Sequence, residues 1–549
     1  MGTNIPDKQF FLKGLLKNPN LSYTLGMYWA DRVAKEIINS GKFKPYWVDD
    51  MFTPSGFPHL GSLKGPLVHD FIFRALRHSG VEVKFTYVFN DFDTVDGLPD
   101  ELSEKFSKYL GYPLKNVPSP EDGYASFADY FIEDLKKVLK SIGINADYLS
   151  SWEMYHEGKF DEVIKIALNN VEKIQDIYKK VSGSKKKELG WLPFQVICEK
   201  CGKLGTTRVF EWDGKEVTYK CEKNLVKWAT GCEYEGKISP FGGTGKLPWK
   251  VDWPAHWKVM GATIEGEGKD HSSAGGSRDI ARELCKEIFK YPEPFDLPYE
   301  FFLIGGRKMS SSKGLGLKAR DLTSLLPAEV GRFLFARSDY RQQVNFDPIG
   351  TFAIPDLFDE YDKSFMAYVD GGNKDLVRTF EMSQINKLPK KEKVFLPRFR
   401  DVANYIQLGT NLEKIFEELK GSSLNDLEQE ILKERGKYAK IWLDNYAPLD
   451  FKQSMLEQFP EAAKNLSEDQ KRFLAKTIEL VEKEDNPENL QTQLYNLTKE
   501  LGIGAKEAFS AIYLVMMGKE SGPKAGIFLL QYPKEKVTQR LNEASKVVK

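Results

Sequence analysis

Two short stretches, far apart in the chain, carry the side chains best suited to phosphate chemistry. The first, residues 45–62, reads PYWVDDMFTPSGFPHLGS: a hydrophobic run, two acids, then a turn rich in proline, serine and glycine. Apolar spacing predicts a helix over Leu63–His78, so His59 and Ser62 should lie where a strand ends and a helix begins. Free N–H groups and the helix dipole favour phosphate at such a place. Taken alone, a histidine beside a helix start is more often structural than catalytic.

The second stretch, residues 305–314, reads GGRKMSSSKG. Its lysine ammonium groups and serine hydroxyls, set between glycines, suit a polyphosphate. Taken alone it would be interpreted as a polar surface loop. The presence of the first stretch upstream makes phosphate binding the better interpretation.

Together the two stretches resemble the paired motifs of class I aminoacyl-tRNA synthetases. Residues 58–62, PHLGS, resemble the His-Ile-Gly-His motif, and residues 308–312, KMSSS, resemble the Lys-Met-Ser-Lys-Ser motif. More narrowly, TPSGFPHLGS, KVDWPAHW, GKDHSSAGGS, KMSSSKG and GKESGPKAGIFL are similar to stretches of class I lysyl-tRNA synthetases. The resemblance covers nearly the whole chain.

The resemblance implies ATP-dependent attachment of L-lysine to tRNA(Lys) through a lysyl-adenylate, with release of AMP and pyrophosphate and with Mg²⁺ accompanying ATP. It assigns catalysis to His59, Ser62, Lys308, Ser310, Ser311 and Ser312. It assigns ATP binding to Pro54, Ser55, Gly56, Gly61, Lys308 and Met309. It assigns the lysine pocket to Thr53, Trp249, His271 and Tyr299.

Two residues depart from the general class I pattern. Ser62 stands in place of the second histidine of the first motif, and Ser311 in place of the second lysine of the second motif. Lys313, two residues further on, could supply the missing charge. Lysine selection also needs a buried acceptor for the ammonium group. The sequence leaves five acids unranked as that acceptor: Asp49, Asp50, Asp252, Glu265 and Asp270.

Four of the five cysteines have the spacing of a metal site. Cys198 and Cys201 form a Cys-x₂-Cys turn, and Cys221 and Cys232 follow. Four thiolates suit a tetrahedral, closed and therefore structural Zn²⁺ site. The alternative is a set of reduced thiols without metal. Cys285 lies in a helical pattern and is expected in the core.

Bulk composition excludes some classes of protein. The chain has 549 residues, which allows roughly three to five domains. Its 79 basic and 79 acidic residues give no net charge, so a nucleic-acid partner would have to use local patches. We find no apolar run of membrane-spanning length and no signal-peptide pattern, and therefore expect a cytoplasmic protein without a membrane partner. A monomer is expected.

The predicted fold class is α/β: a split Rossmann catalytic domain with a zinc-containing insertion, followed by an all-α C-terminal anticodon-binding region. Six segments are expected: an N-terminal helical segment (1–44), the first Rossmann half (45–150), the connective insertion (151–250), the second Rossmann half (251–306), the lysine loop with a stem-contact region (307–400), and the anticodon-binding domain (401–549).

Local patterns predict the elements that position these residues. A β-rich run, Val81–Phe89, should pair in parallel with the strand before His59. The polar residues 90–93 after it lie either in the ligand crevice or in a solvated turn. Helices are expected over Ala125–Ile142 and, as one long helix, over Gly158–Lys180. Residues 241–246 are expected to form a flexible loop that returns the chain from the insertion to the catalytic domain.

Three other functions remain compatible with the sequence. A class I synthetase for glutamate, arginine or cysteine would share both motifs. A small-molecule nucleotidyltransferase can share the first, but the helical C-terminal third and the cysteine insertion argue against it. The third is a tRNA-binding paralogue without catalysis. Ser62 and Ser311, which depart from the class I motifs, are compatible with it, whereas His59 and the lysine loop argue against it.

Overall fold

The computed structural model describes residues 27–184, 190–308 and 316–546. The chain divides into two units: residues 1–347 with 363–392, and residues 348–362 with 393–549. The predicted N-terminal segment is therefore described only from residue 27 onward.

A five-stranded parallel sheet forms the centre of the first unit. Its strands lie in the order β10 (Phe295–Tyr299), β9 (Ile264–Gly268), β1 (Tyr46–Phe52), β2 (Val83–Phe89) and β3 (Asp147–Ser150), and every neighbouring pair is parallel. From the centre of the sheet, β1, β2 and β3 follow one another to one edge, and β9 and β10 lie on the other side of β1. The order therefore reverses between β1 and β9, which is the place where such sheets bind ligands, beyond the carboxyl ends of the strands.

The strands are β1 (Tyr46–Phe52), β2 (Val83–Phe89), β3 (Asp147–Ser150), β4 (Gln195–Val196), β5 (Thr207–Trp212), β6 (Val217–Cys221), β7 (Glu235–Ile238), β8 (Gly245–Lys246), β9 (Ile264–Gly268), β10 (Phe295–Tyr299), β11 (Phe302–Ile304), β12 (Arg307–Lys308) and β13 (Val344–Asn345). Three small sheets accompany the parallel one: β12-β11-β13, β4-β8 and β5-β6-β7.

The helices up to residue 383 are α1 (Trp29–Ser40), α2 (Lys64–His78), α3 (Asp100–Phe106), α4 (Phe127–Ser141), α5 (Ser151–His156), α6 (Asp161–Asn169), α7 (Val171–Ser182), α8 (Trp249–Met260), α9 (Ser277–Leu284), α10 (Asp321–Leu325), α11 (Ala328–Ala336), α12 (Ala353–Asp370) and α13 (Lys374–Ser383). Short turns of other helix types cover Leu60–Leu63, Ser107–Tyr109, Leu114–Asn116 and Cys285–Phe289. Cys285 is buried, as expected.

Helix α2 follows the first motif, as the apolar spacing predicts. A 3₁₀ turn over Leu60–Leu63 precedes it, and the α-helical part begins at Lys64. Leu67, Phe71 and Ala75 are all buried, and the ring of Phe71 packs against that of Trp29 in α1. The strand predicted over Val81–Phe89 is observed as β2, in register with β1 from Tyr46↔Val83 to Phe52↔Phe89.

His69 connects helix α2 to the sheet. Its Nε2 accepts a hydrogen bond from the backbone N–H of Gly266 in β9 at 2.8 Å, so Nδ1 carries the ring proton and donates it to the carbonyl oxygen of Gly65 at 2.8 Å. The ring is fully buried, and burial lowers the pKa of His69 to about 4. The neutral imidazole is therefore part of the native packing.

This burial predicts a pH dependence of stability. Because the unfolded ring binds a proton near pH 6.5 and the folded ring does not, acidification favours the unfolded chain. We expect this one group to lower the free energy of unfolding by about 2 kcal/mol between pH 7 and pH 5. Urea denaturation at both pH values, compared with His69→Gln, measures it. Equal losses in the variant and the unaltered protein would contradict the prediction.

The prediction of one long helix over Gly158–Lys180 is wrong, because the structure has two helices here, α6 and α7. The break falls at Asn170, whose backbone has φ −122° and ψ 29° and whose side-chain amide donates to the carbonyl oxygen of Ile166 at 2.9 Å. An asparagine that bonds the preceding turn competes with the helical hydrogen-bond pattern. The helix predicted over Ala125–Ile142 is observed as α4.

Lys246 is buried at the end of the insertion and bears two ion pairs. Its Nζ lies 2.5 Å from Asp93 Oδ1 and 3.1 Å from Asp252 Oδ2. Asp93 accepts a hydrogen bond from the Thr53 hydroxyl at 2.9 Å, and Asp252 accepts one from Tyr155. The interpretation of residues 241–246 as a flexible return is therefore wrong for its last two residues, which form strand β8.

We expect Lys246→Met to lower the free energy of unfolding by about 3–5 kcal/mol, because it leaves the buried Asp252 carboxylate and the partly buried Asp93 carboxylate without their counter-charge. Denaturant unfolding measures the loss. Lys237→Met is the matched control: Lys237 pairs with Asp213 on the surface and should change stability little. A loss as small as that of the control would show that the buried pairs do not stabilise the fold.

The second unit is helical and has its own core. It contains the part of α12 up to Asp362, and α14 (Phe399–Gln407), α15 (Leu412–Lys420), α16 (Asp426–Asn445), α17 (Glu468–Lys483), α18 (Pro487–Leu501), α19 (Ala505–Met517), α20 (Ala525–Leu530) and α21 (Lys534–Ser545), with a 3₁₀ turn over Glu461–Asn465. Capping boxes begin α16, at Asn425 and Glu428, and α17, at Ser467 and Gln470. None of the described helices in either unit combines the length and the apolar character that a membrane crossing requires.

Candidate active site

His59 lies in the turn between β1 and α2 and organises the first motif. Its Nδ1 accepts the backbone N–H of Ser62 at 3.0 Å and lies 3.2 Å from the Ser62 hydroxyl. In a neutral ring, Nε2 therefore carries the proton. Burial lowers the pKa of His59, and the charge of Lys308 lowers it further. His59 is thus a neutral N–H donor at the start of a helix.

The tertiary structure joins the first motif to the segment that follows the second. The backbone N–H of Leu60 donates to the carbonyl oxygen of Leu317, and that of Ala319 donates to the carbonyl oxygen of Pro58, each at 2.8 Å. His59 and Lys318 face each other in this antiparallel bridge. The segment that follows the second predicted stretch along the chain therefore lies beside the first motif.

Lys308 ends strand β12 at the edge of this bridge. Its Nζ is 3.1 Å from Asp270 Oδ2 and 4.0 Å from the ring centroid of Phe301. Burial acts to raise the pKa of Asp270, but the hydrogen bond from Lys308 outweighs it and the pKa is lowered. Both side chains are about half exposed. The predicted residues Met309, Ser310, Ser311 and Ser312, and also Lys313, lie outside the described residues.

Two further cations accompany the bridge. Lys318 Nζ and Arg320 Cζ lie 4.4 Å and 4.0 Å from the ring centroid of Phe57. They add positive charge beside a motif that lacks its second histidine and near a loop that lacks its second lysine. Sequence reasoning did not single them out, because the pairing of their segment with residues 58–60 is a long-range contact.

Lys64 was also missed. It lies in the first turn of α2 and is 2% exposed. Burial lowers its pKa to about 8, against the charges of Asp339 and Glu300, which act to raise it. The sequence did contain a signal for it. The helix dipole disfavours a cation in the first helical turn, so a lysine at this position indicates some other role.

The residues assigned to the lysine pocket lie at the carboxyl ends of the central strands. Trp249 begins α8 with its ring 6.0 Å from that of His271. Tyr299 ends β10, and Thr53 follows β1 with its hydroxyl group bonded to Asp93. All four predicted side chains are partly exposed, as residues that line a cleft should be.

Buried acids lie beneath this cleft, in β9. Glu265 accepts hydrogen bonds from the indole N–H groups of Trp253, at 2.8 Å, and Trp257. Glu267 lies 3.1 Å from the guanidinium group of Arg278. Burial raises the pKa of each glutamate to about 8. Both carboxylates are therefore already bonded within the protein.

The four predicted zinc ligands come together in the insertion. Their sulfur atoms lie within 4.8 Å of one another. Cys198 Sγ is 3.6 Å from Cys232 Sγ, and Cys201 Sγ is 3.7 Å from Cys221 Sγ. Four thiolates at about 2.3 Å from one Zn²⁺ would have sulfur–sulfur distances of about 3.8 Å. The backbone N–H of Cys232 also donates to Cys221 Sγ at 3.3 Å. The donor set therefore fits a closed, tetrahedral metal site.

Two family models match the chain. The model described as tRNA synthetases class I (K) matches residues 27–386, and that of an anticodon binding domain matches residues 403–545. The first ends in the first structural unit and the second falls wholly within the helical unit.

Relatives of similar length share about a third of the residues. Lysine--tRNA ligase of Archaeoglobus fulgidus is 32% identical over 523 residues, covering 94% of this chain and 100% of the relative. That of Methanocaldococcus jannaschii is 33% identical over 540 residues, covering 94% and 99%. Among solved structures, a glutamate tRNA ligase from Elizabethkingia meningosepticum, in complex with its amino acid, is 16% identical with a TM-score of 0.40, covering 92% of this chain and 100% of that chain.

Proposed function

The chain belongs to the family of class I lysine–tRNA ligases, and from this premise we propose how its own residues attach lysine to tRNA. The reaction has two steps. The lysine carboxylate attacks the α-phosphate of ATP and releases pyrophosphate, and the lysyl group then passes from the adenylate to the 3′-terminal ribose of tRNA, releasing AMP. The first step needs alignment of the reactants and neutralisation of phosphate charge more than acid–base chemistry.

The backbone bridge between residues 58–60 and 317–319 is the observation that carries the proposal. It fixes residues 317–319, which follow the lysine loop along the chain, beside the neutral His59 ring, and the charge of Lys308 acts on that ring. Nε2 of His59 then donates to a phosphate oxygen of ATP, with the free N–H groups of the helix start beside it. Pro54, Ser55, Gly56 and Gly61 form the turn that the nucleotide approaches, and Ser62 holds the imidazole in orientation.

Lys308 supplies the positive charge for the departing pyrophosphate. Its pair with Asp270 is exposed, and such pairs are weak, so the ammonium group can exchange the carboxylate for phosphate oxygens at little cost. The predicted roles of Met309, Ser310, Ser311 and Ser312 in closing over the nucleotide belong to the same step. Mg²⁺ enters with ATP and neutralises part of its charge.

Lysine occupies the cleft between the ends of β1, β9 and β10. The rings of Trp249 and His271 lie against its aliphatic chain, Tyr299 faces its far end, and Thr53 lies beside the reacting end. Lys246 acts through Asp93, which accepts the Thr53 hydroxyl, so the buried ion pairs position this part of the pocket.

Cys198, Cys201, Cys221 and Cys232 would hold Zn²⁺, and the metal would be structural because sulfur would take all four of its positions. The second unit, with its anticodon-domain match, binds tRNA(Lys). The six segment boundaries, the cytoplasmic location and the monomeric state stay predictions.

The test is aminoacylation of total tRNA by the purified protein with Mg-ATP and each amino acid in turn. Charging with lysine alone is expected. Charging with glutamate, arginine or cysteine would keep the fold and overturn the substrate. Binding of tRNA without any charging would favour the paralogue without catalysis. The assay includes tRNA from the start, because some class I synthetases activate their amino acid only with tRNA bound.

A further inference from the structure

We propose that the carboxylate of Asp50 binds the side-chain ammonium group of the substrate, next to the hydroxyl group of Tyr299. The inference rests on the proposed function, since it names the residue that selects lysine in that site. It resolves the choice among five acids that the sequence left open.

Asp50 is a buried carboxylate with one oxygen atom unused. It lies in β1 and is 5% exposed. Its Oδ1 accepts the backbone N–H of Met51 at 2.9 Å, whereas Oδ2 has no hydrogen-bond partner among the described residues. A buried carboxylate oxygen without a partner is costly. It is therefore the kind of group that a cationic ligand would complete.

His69, the basic side chain nearest to that oxygen, does not complete it. Nδ1 of His69 is 3.6 Å from Asp50 Oδ2, but this nitrogen donates its proton to the carbonyl oxygen of Gly65. The ring stays neutral because burial lowers the pKa of His69 to about 4. Burial likewise raises the pKa of Asp50 to about 8, against the lowering effect of the backbone hydrogen bond from Met51, and none of the described residues supplies a cation that lowers it further. An incoming ammonium group would do so.

Gly65 lets Asp50 and Tyr299 approach the backbone of helix α2 closely. A Cβ atom at position 65 would lie 3.1 Å from Asp50 Oδ2 and 2.8 Å from Tyr299 Oη. The residue lies in the first turn of a regular helix, so these close contacts, and not the backbone conformation, call for glycine. Two oxygen atoms thus lie beside Gly65: a carboxylate oxygen that can pair with an ammonium group and a hydroxyl oxygen that can accept from it.

Three of the other candidate acids, Asp252, Asp270 and Glu265, already have partners within the protein. Asp252 accepts from Tyr155 and pairs with Lys246, and Asp270 pairs with Lys308. An ammonium group would have to displace a protein cation to reach either carboxylate. Glu265 is occupied in another way, because both of its oxygen atoms accept indole N–H groups.

Asp49 is the remaining competitor. Its Oδ1 accepts from the Thr86 hydroxyl, and its Oδ2 has no partner among the described residues. Successive side chains of a strand point to opposite faces, so Asp49 and Asp50 lie on opposite sides of the sheet. Helix α2 and Gly65 lie on the side of Asp50. The two aspartates therefore make separate, testable predictions.

The experiment measures the KM values for lysine and ATP in aminoacylation, and the lysine Kd by calorimetry, for Asp50→Asn and Asp49→Asn. Asp50→Asn is expected to raise the KM and Kd for lysine about 100-fold while the KM for ATP stays within about twofold. Asp49→Asn should change the KM for lysine less than about threefold. An Asp50→Asn value within threefold of the unaltered protein, or the large effect in Asp49→Asn instead, would overturn the proposal.

Gly65→Ala tests this arrangement independently of the charge. The methyl group of this variant would lie 2.8 Å from Tyr299 Oη, so the tyrosine hydroxyl group must shift from its position beside Asp50. We expect the KM for lysine to rise about tenfold while the KM for ATP stays within about twofold. If Asp50→Asn does not fold, Gly65→Ala serves as the test in its place, and an unchanged KM for lysine in this variant would contradict the proposal. Failure of the proposed function is distinct, since it would appear as charging of another amino acid by the unaltered protein.

Discussion

Replacing Lys308 by alanine is expected to slow formation of lysyl-adenylate by about 10²- to 10³-fold. The side chain is about half exposed, and its ion pair among the described residues is with the equally exposed Asp270, so the fold should not depend on it. Its proposed part is to neutralise charge that develops on the pyrophosphate, and that charge is greatest in the transition state. The loss should therefore fall on kcat, with the KM for lysine nearly unchanged.

Single-turnover formation of adenylate, with tRNA present, measures this effect. Lys269→Ala is the matched control, because Lys269 is an exposed lysine just after β9 that pairs with Glu300. It should retain nearly full activity. Adenylate formation in Lys308→Ala at the rate of the control would remove the loop lysine from the mechanism and leave the charge to Lys318, Arg320 or Lys64.

Removal of one cysteine of the four-sulfur cluster is expected to abolish zinc binding and unfold the insertion. The free energy of binding a structural Zn²⁺ is on the order of 10 kcal/mol, far more than three short antiparallel strands supply by themselves. Cys221→Ser is the most informative change, because Cys221 is fully buried and its Sγ accepts the backbone N–H of Cys232. Charging activity should fall as well, since strand β8 of the insertion carries Lys246 into the network behind Thr53.

Metal content of the purified protein and limited proteolysis across residues 190–247 check this prediction. One zinc per chain is expected in the unaltered protein and none in Cys221→Ser, with new cleavage inside the insertion. Cys285→Ser is the control: that thiol is buried in the core away from the cluster and should leave the zinc content unchanged. A metal-free protein whose insertion resists proteolysis would show that the four thiols are structural without zinc.

Elements with a strong local pattern were predictable. Helix α2 and strand β2 were found within three residues of the predicted bounds, because apolar periodicity reflects which face is buried. The predicted helix over Gly158–Lys180 failed because a single asparagine side chain interrupts it. The periodic pattern continues through Asn170, so the break depends on one hydrogen bond that no apolar spacing reveals.

The polar residues after β2 illustrate what a local pattern leaves open. The sequence placed 90–93 either in the crevice or in a solvated turn. In the structure Asp91 is buried and bonds Ser150 and the backbone of Trp152, while Asp93 pairs with Lys246. Both acids therefore have structural partners, and those partners lie from about sixty to about one hundred and fifty residues away.

By itself the sequence determined the family, the two motifs that carry it and the grouping of four cysteines, because these depend on residue type and spacing along the chain. The tertiary structure alone decided which charged groups are already satisfied. It pairs Lys246 with aspartates, gives Glu265 and Asp270 hydrogen-bond or ionic partners, and places Lys318 opposite His59. It also leaves one carboxylate oxygen of Asp50 without a hydrogen-bond partner among the described residues. Burial and hydrogen bonding are set by groups distant in the chain, so the choice among five candidate acids could be made only after folding had placed them.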